Sequence, residues 1–412
     1  MAPPKVITLG CRLNTFESEV MREVGKDVGS EDTIVINTCA VTAEAERQAR
    51  QTIRRARREH PDSQIIVTGC AAQLNPAAFA AMDEVDRVLG NAEKLDPALL
   101  AGQGPAVQVA DIMTAPETAP PLISGLEGRT RAFVQIQQGC DHRCTYCIIP
   151  FARGPNRSIH ADSIEAQVRS LVASGHREVV LTGVDICSYG MDGAGSLGSL
   201  VGTLLAKTPE LERLRLSTLD PAAIDDDLYQ LFATEPRLMP HLHLSLQAMD
   251  DMVLKRMKRR HDRAGAFAAI ARARDARPDA VFGADLIAGF PTETEAMFEN
   301  TLAAVGELDL AYLHVFPYSP RPGTPAANMP EVPSSIRKDR AARLRAAGDA
   351  GLKRFLASRA GTTAQVLVET DRQGLSQHYA TVKLDFDAEP GAIVEAHVLS
   401  AEGDHLLASR AA

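Results

Sequence analysis

The sequence predicts an α/β protein in three parts: an N-terminal parallel α/β domain, a central partial (βα)6 barrel and a small C-terminal all-β barrel. Three observations predict it. Short β-branched runs alternate with helix-length stretches through the first 95 residues, the pattern of a parallel sheet with right-handed crossovers. Six more such runs with helical spacers follow from Arg131, which suits an incomplete barrel of parallel strands. Residues 361–412 instead carry short strand-like runs separated by glycine turns, which suits a small closed β-structure.

Each element follows from local pattern. "KVITLGC", "DTIVINTC" and "SQIIVTGC" end at Cys11, Cys39 and Cys70, and each reads as a buried strand. Helices are expected from Asn14 to Gly25, Thr42 to Glu59 and Asn75 to Met82. Domain boundaries are set at 1–95, 129–345 and 346–412, with an Ala/Pro/Gly-rich linker over 96–128. The barrel strands are "AFVQIQQ", "EVVLTG", "RLRLSTL", "HLHLSLQ", "FGADLIAGF" and "AYLHVFPYS". "HLHLSLQ" places His241, His243, Ser245 and Gln247 on one face. A polar face turned inward implies an occupied cavity. A helix over Ser334–Arg359 leads into the C-terminal strands.

Composition sets limits. The 412 residues carry a formal net charge of −9, which disfavours a simple basic nucleic-acid binder but allows local basic patches. No apolar leader follows "MAPPK" and no run of 18 apolar residues occurs, so a cytoplasmic protein without membrane attachment is expected. Seven cysteines, clustered and odd in number, argue against a disulfide framework and for metal binding or chemistry.

Cys140, Cys144 and Cys147 fall on one loop after a strand, spaced C-x3-C-x2-C. Three thiolates so placed hold three corners of an iron–sulfur cubane and leave one iron open. The competing reading is structural zinc completed by His142, although zinc favours paired C-x2-C units and only one is present. Tyr146 stands where an aromatic ring would shield a cluster. Cys11, Cys39 and Cys70 each end a successive parallel strand, and parallel geometry brings all three to one sheet edge. A second three-cysteine cluster accounts for them better than three separately buried thiols do. Cys187 reads as a buried, idle thiol.

"CDHRCTYC" resembles the C-x3-C-x-aromatic-C signature of radical S-adenosylmethionine (SAM) enzymes. "TLGCRLNTFESE", "VINTCAVTAEAERQ", "VTGCAAQLNP", "IIPFARGPNRS", "HLHLSLQ", "FGADLIAGFPTET" and "LHVFPYSPRPGTPA" resemble the methylthiotransferases within them. The match extends to the branch acting on N6-threonylcarbamoyladenosine beside the tRNA anticodon. The resemblance implies that Cys140, Cys144 and Cys147 hold a 4Fe–4S cluster whose open iron binds SAM. It implies that Cys11, Cys39 and Cys70 hold an auxiliary 4Fe–4S cluster that delivers sulfur. It further implies a central radical SAM barrel, a C-terminal TRAM-like tRNA-binding domain and two SAM molecules per turnover. A flavodoxin- or ferredoxin-type electron donor and a monomer are expected. Isopentenyladenosine in tRNA, or a ribosomal-protein side chain, is the alternative substrate. Outside this chemistry, the competing hypothesis is a non-catalytic RNA-binding protein with structural zinc.

Candidate SAM contacts at the barrel mouth are Thr182, Gly183, Arg215, Ser217, Gln247, Asp285 and Gly289, the last opening "GFP". Small residues there permit close backbone approach, and polar ones suit ribose or carboxylate. Candidate phosphate contacts come from two basic runs: Arg47, Arg50 and Arg54 at helical spacing, and Lys255, Arg256, Lys258 and Arg259. Arg153 and Arg157, just past the cysteine loop, join them. Residues 361–412 hold three Lys/Arg against eight Asp/Glu, so that domain would touch RNA through shape, backbone donors or Tyr379.

Overall fold

The computed structural model describes residues 3–26, 32–115 and 122–411. The N-terminal sheet is entirely parallel, ordered β1-β2-β3-β4-β5. Its strands are β1 (Lys5–Thr8), β2 (Thr33–Thr38), β3 (Gln64–Gly69), β4 (Arg87–Leu89) and β5 (Val107–Gln108). β2 is buried along its whole length, as a central parallel strand covered on both faces must be. Helix α1 (Arg12–Lys26) follows β1, and α2 (Ala43–Glu59) follows β2. Thr42 caps α2, its hydroxyl accepting from Ala45 N at 3.1 Å. Glu44 and Glu46 occupy the first turn of α2 and Arg57 and Arg58 the last, complementing the helix dipole.

Two expectations are corrected here. The helix expected over Asn75–Met82 is the shorter α4 (Pro76–Ala80), with Asn75 at its N-cap, and a further helix not expected from sequence, α3 (Cys70–Leu74), precedes it. Asn75, at φ −143° and ψ 61°, breaks them because a residue before proline is driven out of helical geometry. The segment expected to be only a linker contributes α5 (Pro97–Leu100) and β5, and with the unexpected β4 before it the sheet has five strands where sequence pattern gives three.

The central domain forms the expected six-stranded partial barrel. β6 (Arg131–Gln135), β9 (Glu178–Thr182) and β10 (Arg213–Leu216) make one parallel ladder. β11 (Thr218–Leu219), β12 (His241–Gln247), β13 (Val281–Ala288) and β14 (Leu310–Pro317) make the other. β10 runs into β11 through Ser217, so the two ladders form one curved wall. The β7 (Gln137–Gln138) and β8 (Arg157–Ser158) strands pair antiparallel and pinch the base of the long cysteine loop, which carries α6 (Ile149–Arg153). Helices α7 (Ala161–Ala173), α8 (Leu197–Lys207), α9 (Asp226–Thr234), α10 (Asp251–Met257), α11 (Arg263–Ala276) and α12 (Glu295–Glu307) connect the strands. Phe16 and Val20 of α1 pack into the barrel core, so the N-terminal domain docks on β6.

Helix α13 (Ser334–Ala357) packs on β14, and its Leu356 enters the core of the closed C-terminal barrel. That barrel is ordered β15-β16-β17-β19-β18, from β15 (Thr363–Thr370), β16 (Gln373–Ser376), β17 (Thr381–Leu384), β18 (Ile393–Glu402) and β19 (His405–Arg410). Among the described residues no helix is long and apolar enough to cross a membrane.

Candidate metal centres and the barrel mouth

Cys39 and Cys70 follow directly on β2 and β3, and Cys11 lies just beyond β1. Asn14 ties the first two turns together: its Nδ2 donates to Leu9 O at 2.7 Å and to Thr38 O at 3.0 Å. Gly10, at φ +104°, passes so close to Cys39 that a Cβ would lie 3.0 Å from its sulfur. Gly69, at φ +92°, makes the turn into α3; a Cβ there would meet Thr38 O at 2.4 Å. Two left-handed glycines thus let three strand ends converge on one edge.

Arg153 reaches this edge from the other cysteine loop. Its Nε donates to Cys70 Sγ at 3.1 Å and its Nη2 to Asn14 Oδ1 at 2.6 Å. Both terminal nitrogens grip the Glu17 carboxylate, and Nη1 also donates to Gln138 Oε1 at 3.0 Å. The side chain is 1% exposed, so the expectation of a phosphate contact at Arg153 is corrected: it is sealed between the domains. Arg157 is half-buried and folds back on its own loop, donating to Pro155 O and Arg153 O at 3.2 and 3.0 Å.

The loop bearing Cys140, Cys144 and Cys147 is fixed mainly through backbone. Cys140 N donates to Gly154 O at 3.0 Å, and Thr145 N to Met257 O at 3.1 Å. Thr145 Oγ1 donates to Arg256 O at 2.8 Å, binding the loop to α10. Tyr146 packs edge-on to Phe290, with ring centres 6.4 Å apart. Arg259 lies 3.7 Å from Cys144 Sγ, and its Nη2 donates to Asp220 at 3.1 Å and Ser245 O at 2.8 Å. Arg259 is therefore also corrected from phosphate contact to a buried partner of the cysteine loop. The two trios approach one another: α6 leaves Cys147 and buries Ile148 and Ala152 in the apolar cluster that holds Cys70, and the Cys147 and Cys70 sulfurs lie within electrostatic reach.

The donor sets suit clusters better than single ions. Among the described residues, the groups of three ligand atoms within 4.8 Å of one another are Cys140–His142–Asp185 and His243–Asp285–His314. Neither cysteine trio is that tight, whereas thiolates on one zinc sit about 4 Å apart. His142 faces Asp185, with 3.0 Å between Nε2 and Oδ2. Burial pushes the Cys39 and Cys140 thiols up to about 12 and Cys147 up to about 11, and a coordinated metal would offset that cost of forming thiolates. Cys187 is buried against Asp220, whose N donates to its sulfur at 3.3 Å.

The SAM candidates scatter in role. Thr182 closes β9, and Gly183 lies against Gln137, whose Oε1 accepts from Val184 N and Asp185 N at 2.9 Å each. Sequence pattern gave no signal for Gln137 as the organiser of this turn. Ser217 is buried at the β10–β11 junction, and Gln247 ends β12 at φ +65° where the register slips. Asp285 faces the lumen. His243 Nε2 lies 3.1 Å and His314 Nδ1 3.0 Å from the same Asp285 oxygen. The two imidazoles hold this carboxyl well below its usual range against the cost of burial. Gly289 is corrected: the space beside its Cα is filled by Arg337 of α13. Arg215 is corrected too. It pairs with Glu178 at 2.8 Å and donates to Ser376 O and Gln377 O of the C-terminal barrel at 2.9 and 3.0 Å.

Tyr379 also faces inward rather than toward RNA. It stacks on His241 at 4.8 Å, and its hydroxyl accepts from Arg12 at 3.1 Å and Arg131 at 3.3 Å. Of the remaining basic candidates, Arg50 lies over the Phe79 ring and Arg256 donates to Thr292 O. Arg47 and Arg54 are exposed but paired with Glu44 and Glu84. Lys255 and Lys258 are exposed on α10 and its cap.

Comparison with known proteins adds the following. Residues 134–305 match the radical SAM superfamily, and residues 4–90 match the uncharacterized protein family UPF0004. A Rickettsia prowazekii protein named threonylcarbamoyladenosine tRNA methylthiotransferase MtaB is 48% identical over 98% of this chain and 96% of its own. An Aquifex aeolicus protein of the same name is 34% identical over 94% and 98%. An Erythrobacter litoralis tRNA-2-methylthio-N(6)-dimethylallyladenosine synthase is 34% identical over 96% and 94%. The radical SAM methyltransferase TsrM from Kitasatospora setae shares the fold, with a TM-score of 0.58 and 17% identity over 75% of this chain and 68% of that one.

Proposed function

The chain belongs to the radical SAM methylthiotransferase family, and on that premise we propose that it adds a methylthio group to C2 of N6-threonylcarbamoyladenosine beside the anticodon of tRNA. In this reading it holds two 4Fe–4S clusters, uses two SAM molecules and draws electrons from a flavodoxin- or ferredoxin-type donor. Cys140, Cys144 and Cys147 hold one cluster, and Cys11, Cys39 and Cys70 the other. One observation carries the reading: the two cysteine trios stand on adjoining domains and are linked through α6, whose Ala152 packs in the cluster that holds Cys70 and whose Arg153 donates to the Cys70 sulfur.

The bound cofactors supply one-electron chemistry at a carbon that has no acidic proton. The protein's own part is placement and exclusion. Tyr146 and Phe290 close the cysteine loop from behind. The Asp220–Arg259 pair fixes the loop against Ser245 on the barrel wall. Tyr379, with its three arginines, plugs the lumen below His241.

The choice of substrate is supported by the Rickettsia prowazekii relative above and by the lumen. His243, Asp285 and His314 give it a polar wall. A threonylcarbamoyl group brings a carboxylate, a hydroxyl and amides to such a wall, whereas an isopentenyl group offers it no hydrogen-bonding partner. Two measurements test the reading. Anaerobically reconstituted protein should carry about eight irons per chain, two cubanes' worth. tRNA from cells lacking the gene should lose the methylthio-threonylcarbamoyladenosine peak; loss of the methylthio-isopentenyl peak instead would move the enzyme to the other substrate.

A further inference from the structure

The contact between Arg153 and Cys70 goes further than positioning a helix. A guanidinium has five N–H donors, and all five at Arg153 are used: one on Cys70 Sγ, two on Glu17, one on Asn14 and one on Gln138. Through Asn14 the same group is linked to the turns before Cys11 and Cys39. Beside it, Lys94 Nζ pairs with Glu17 Oε2 at 2.5 Å and donates to Asn91 Oδ1 at 2.8 Å. Asn91 in turn donates to Ala152 O of α6 at 2.7 Å.

Glu17, Lys94 and Arg153 are each at most 1% exposed. The trio therefore buries two cations and one carboxylate. An unbalanced buried charge is costly, and besides Glu17 the group that both cations approach is the Cys70 sulfur, 3.1 Å from Arg153 Nε. Glu17 thus faces two cations, and the trio presents a net positive charge to the Cys70 sulfur.

We infer that Arg153 is a positioning residue for the auxiliary site: it holds the Cys11–Cys39–Cys70 cluster in register with the Cys140 loop and, with Lys94, supplies the charge that offsets its negative charge and raises its reduction potential. Glu17 sets how much of that charge the cluster feels. The inference rests on the proposed auxiliary cluster, and the test separates the two.

The protein is the full chain with Cys140, Cys144 and Cys147 changed to Ala, reconstituted anaerobically with iron and sulfide. Iron content, the electron paramagnetic resonance signal and the midpoint potential are read. About four irons per chain upholds the auxiliary cluster; no iron sinks that reading, and the inference with it. With iron bound, Arg153→Lys should shift the midpoint downward, because an ammonium cannot reproduce the five-donor fork that places charge on Cys70. Glu17→Gln should shift it upward, because the guanidinium then faces sulfur alone. Opposite shifts support the inference. Shifts in one direction, or none, overturn it, since a merely structural role would not reverse sign. Where one variant takes up no iron, the sign of the other's shift decides.

Discussion

His314 is the lumen side chain whose removal asks most directly what the barrel holds. Its imidazole is held by Asp285, lies 4.5 Å from the His243 ring and is 58% exposed to the open lumen. A carboxylate-bearing substrate gains a donor there, and a hydrogen bond to a charged group is worth about 1.5–3 kcal/mol. His314→Leu should therefore lower kcat/KM on threonylcarbamoylated tRNA at least tenfold, about 1.4 kcal/mol. The same change should cost nothing on isopentenylated tRNA. An equal loss on both would mean that the residue serves the fold and not the choice of substrate. At this scale the cysteines are legible in sequence because a thiol trio at fixed spacing has few other uses. Arg153 and Arg259 are not. A basic residue beside a cysteine motif or within a Lys/Arg run looks the same whether it reaches solvent or folds back on a sulfur, and only tertiary packing buries these two.

The turns that lead into the cysteines are where single backbone changes act on whole elements. Gly69 ends β3 at φ +92° and hands the chain to α3, whose first residue is Cys70. Alanine there carries left-handed strain of about 1–3 kcal/mol, and its Cβ would press on Thr38 O at 2.4 Å, which must move. Gly69→Ala should lower the unfolding midpoint in urea at unchanged slope, and should reduce iron uptake by the auxiliary trio more than by the Cys140 loop. Unchanged iron at both sites would show that the β3–α3 turn does not set the position of Cys70. Elements were legible in proportion to their length. The six barrel strands and α2 have enough residues to show a period. β4 and β5 span three and two residues, too few for any pattern, so the five-stranded sheet and its use of the supposed linker could not be read. The break between α3 and α4 was signalled by Asn75–Pro76, whose dipeptide disfavours helix.

Across the whole molecule, the charge of −9 means that tRNA must approach through local basic surface. The barrel mouth offers two such surfaces. The N-terminus of α2 abuts the loop after β14, where Ala43 N donates to Ser319 Oγ at 3.2 Å and Arg321 pairs with Glu46. Helix α10 abuts the Cys140 loop through Thr145. The exposed arginines of α2 at positions 47, 54 and 55 are already paired with Glu44, Glu84 and Glu59, and the exposed Arg58 lies in the last turn, at the end opposite the one that abuts the mouth. Among the described residues, Lys255 and Lys258 have no ion-pair partner. Lys258 stands at φ 56° where α10 ends, which turns the chain sharply beside the loop. An unpaired cation releases counterions from phosphate without first breaking a salt bridge. Changing Lys255 and Lys258 together to Ala should weaken tRNA binding and reduce the slope of log affinity against log salt by roughly two, about one per cation. The matching double change at Arg47 and Arg54 should leave that slope close to wild type, because each arginine already spends its charge on a neighbouring carboxylate. If α2 proves to be the salt-sensitive surface instead, tRNA enters from the N-terminal domain side and the carboxylates of α2 must give way as it binds.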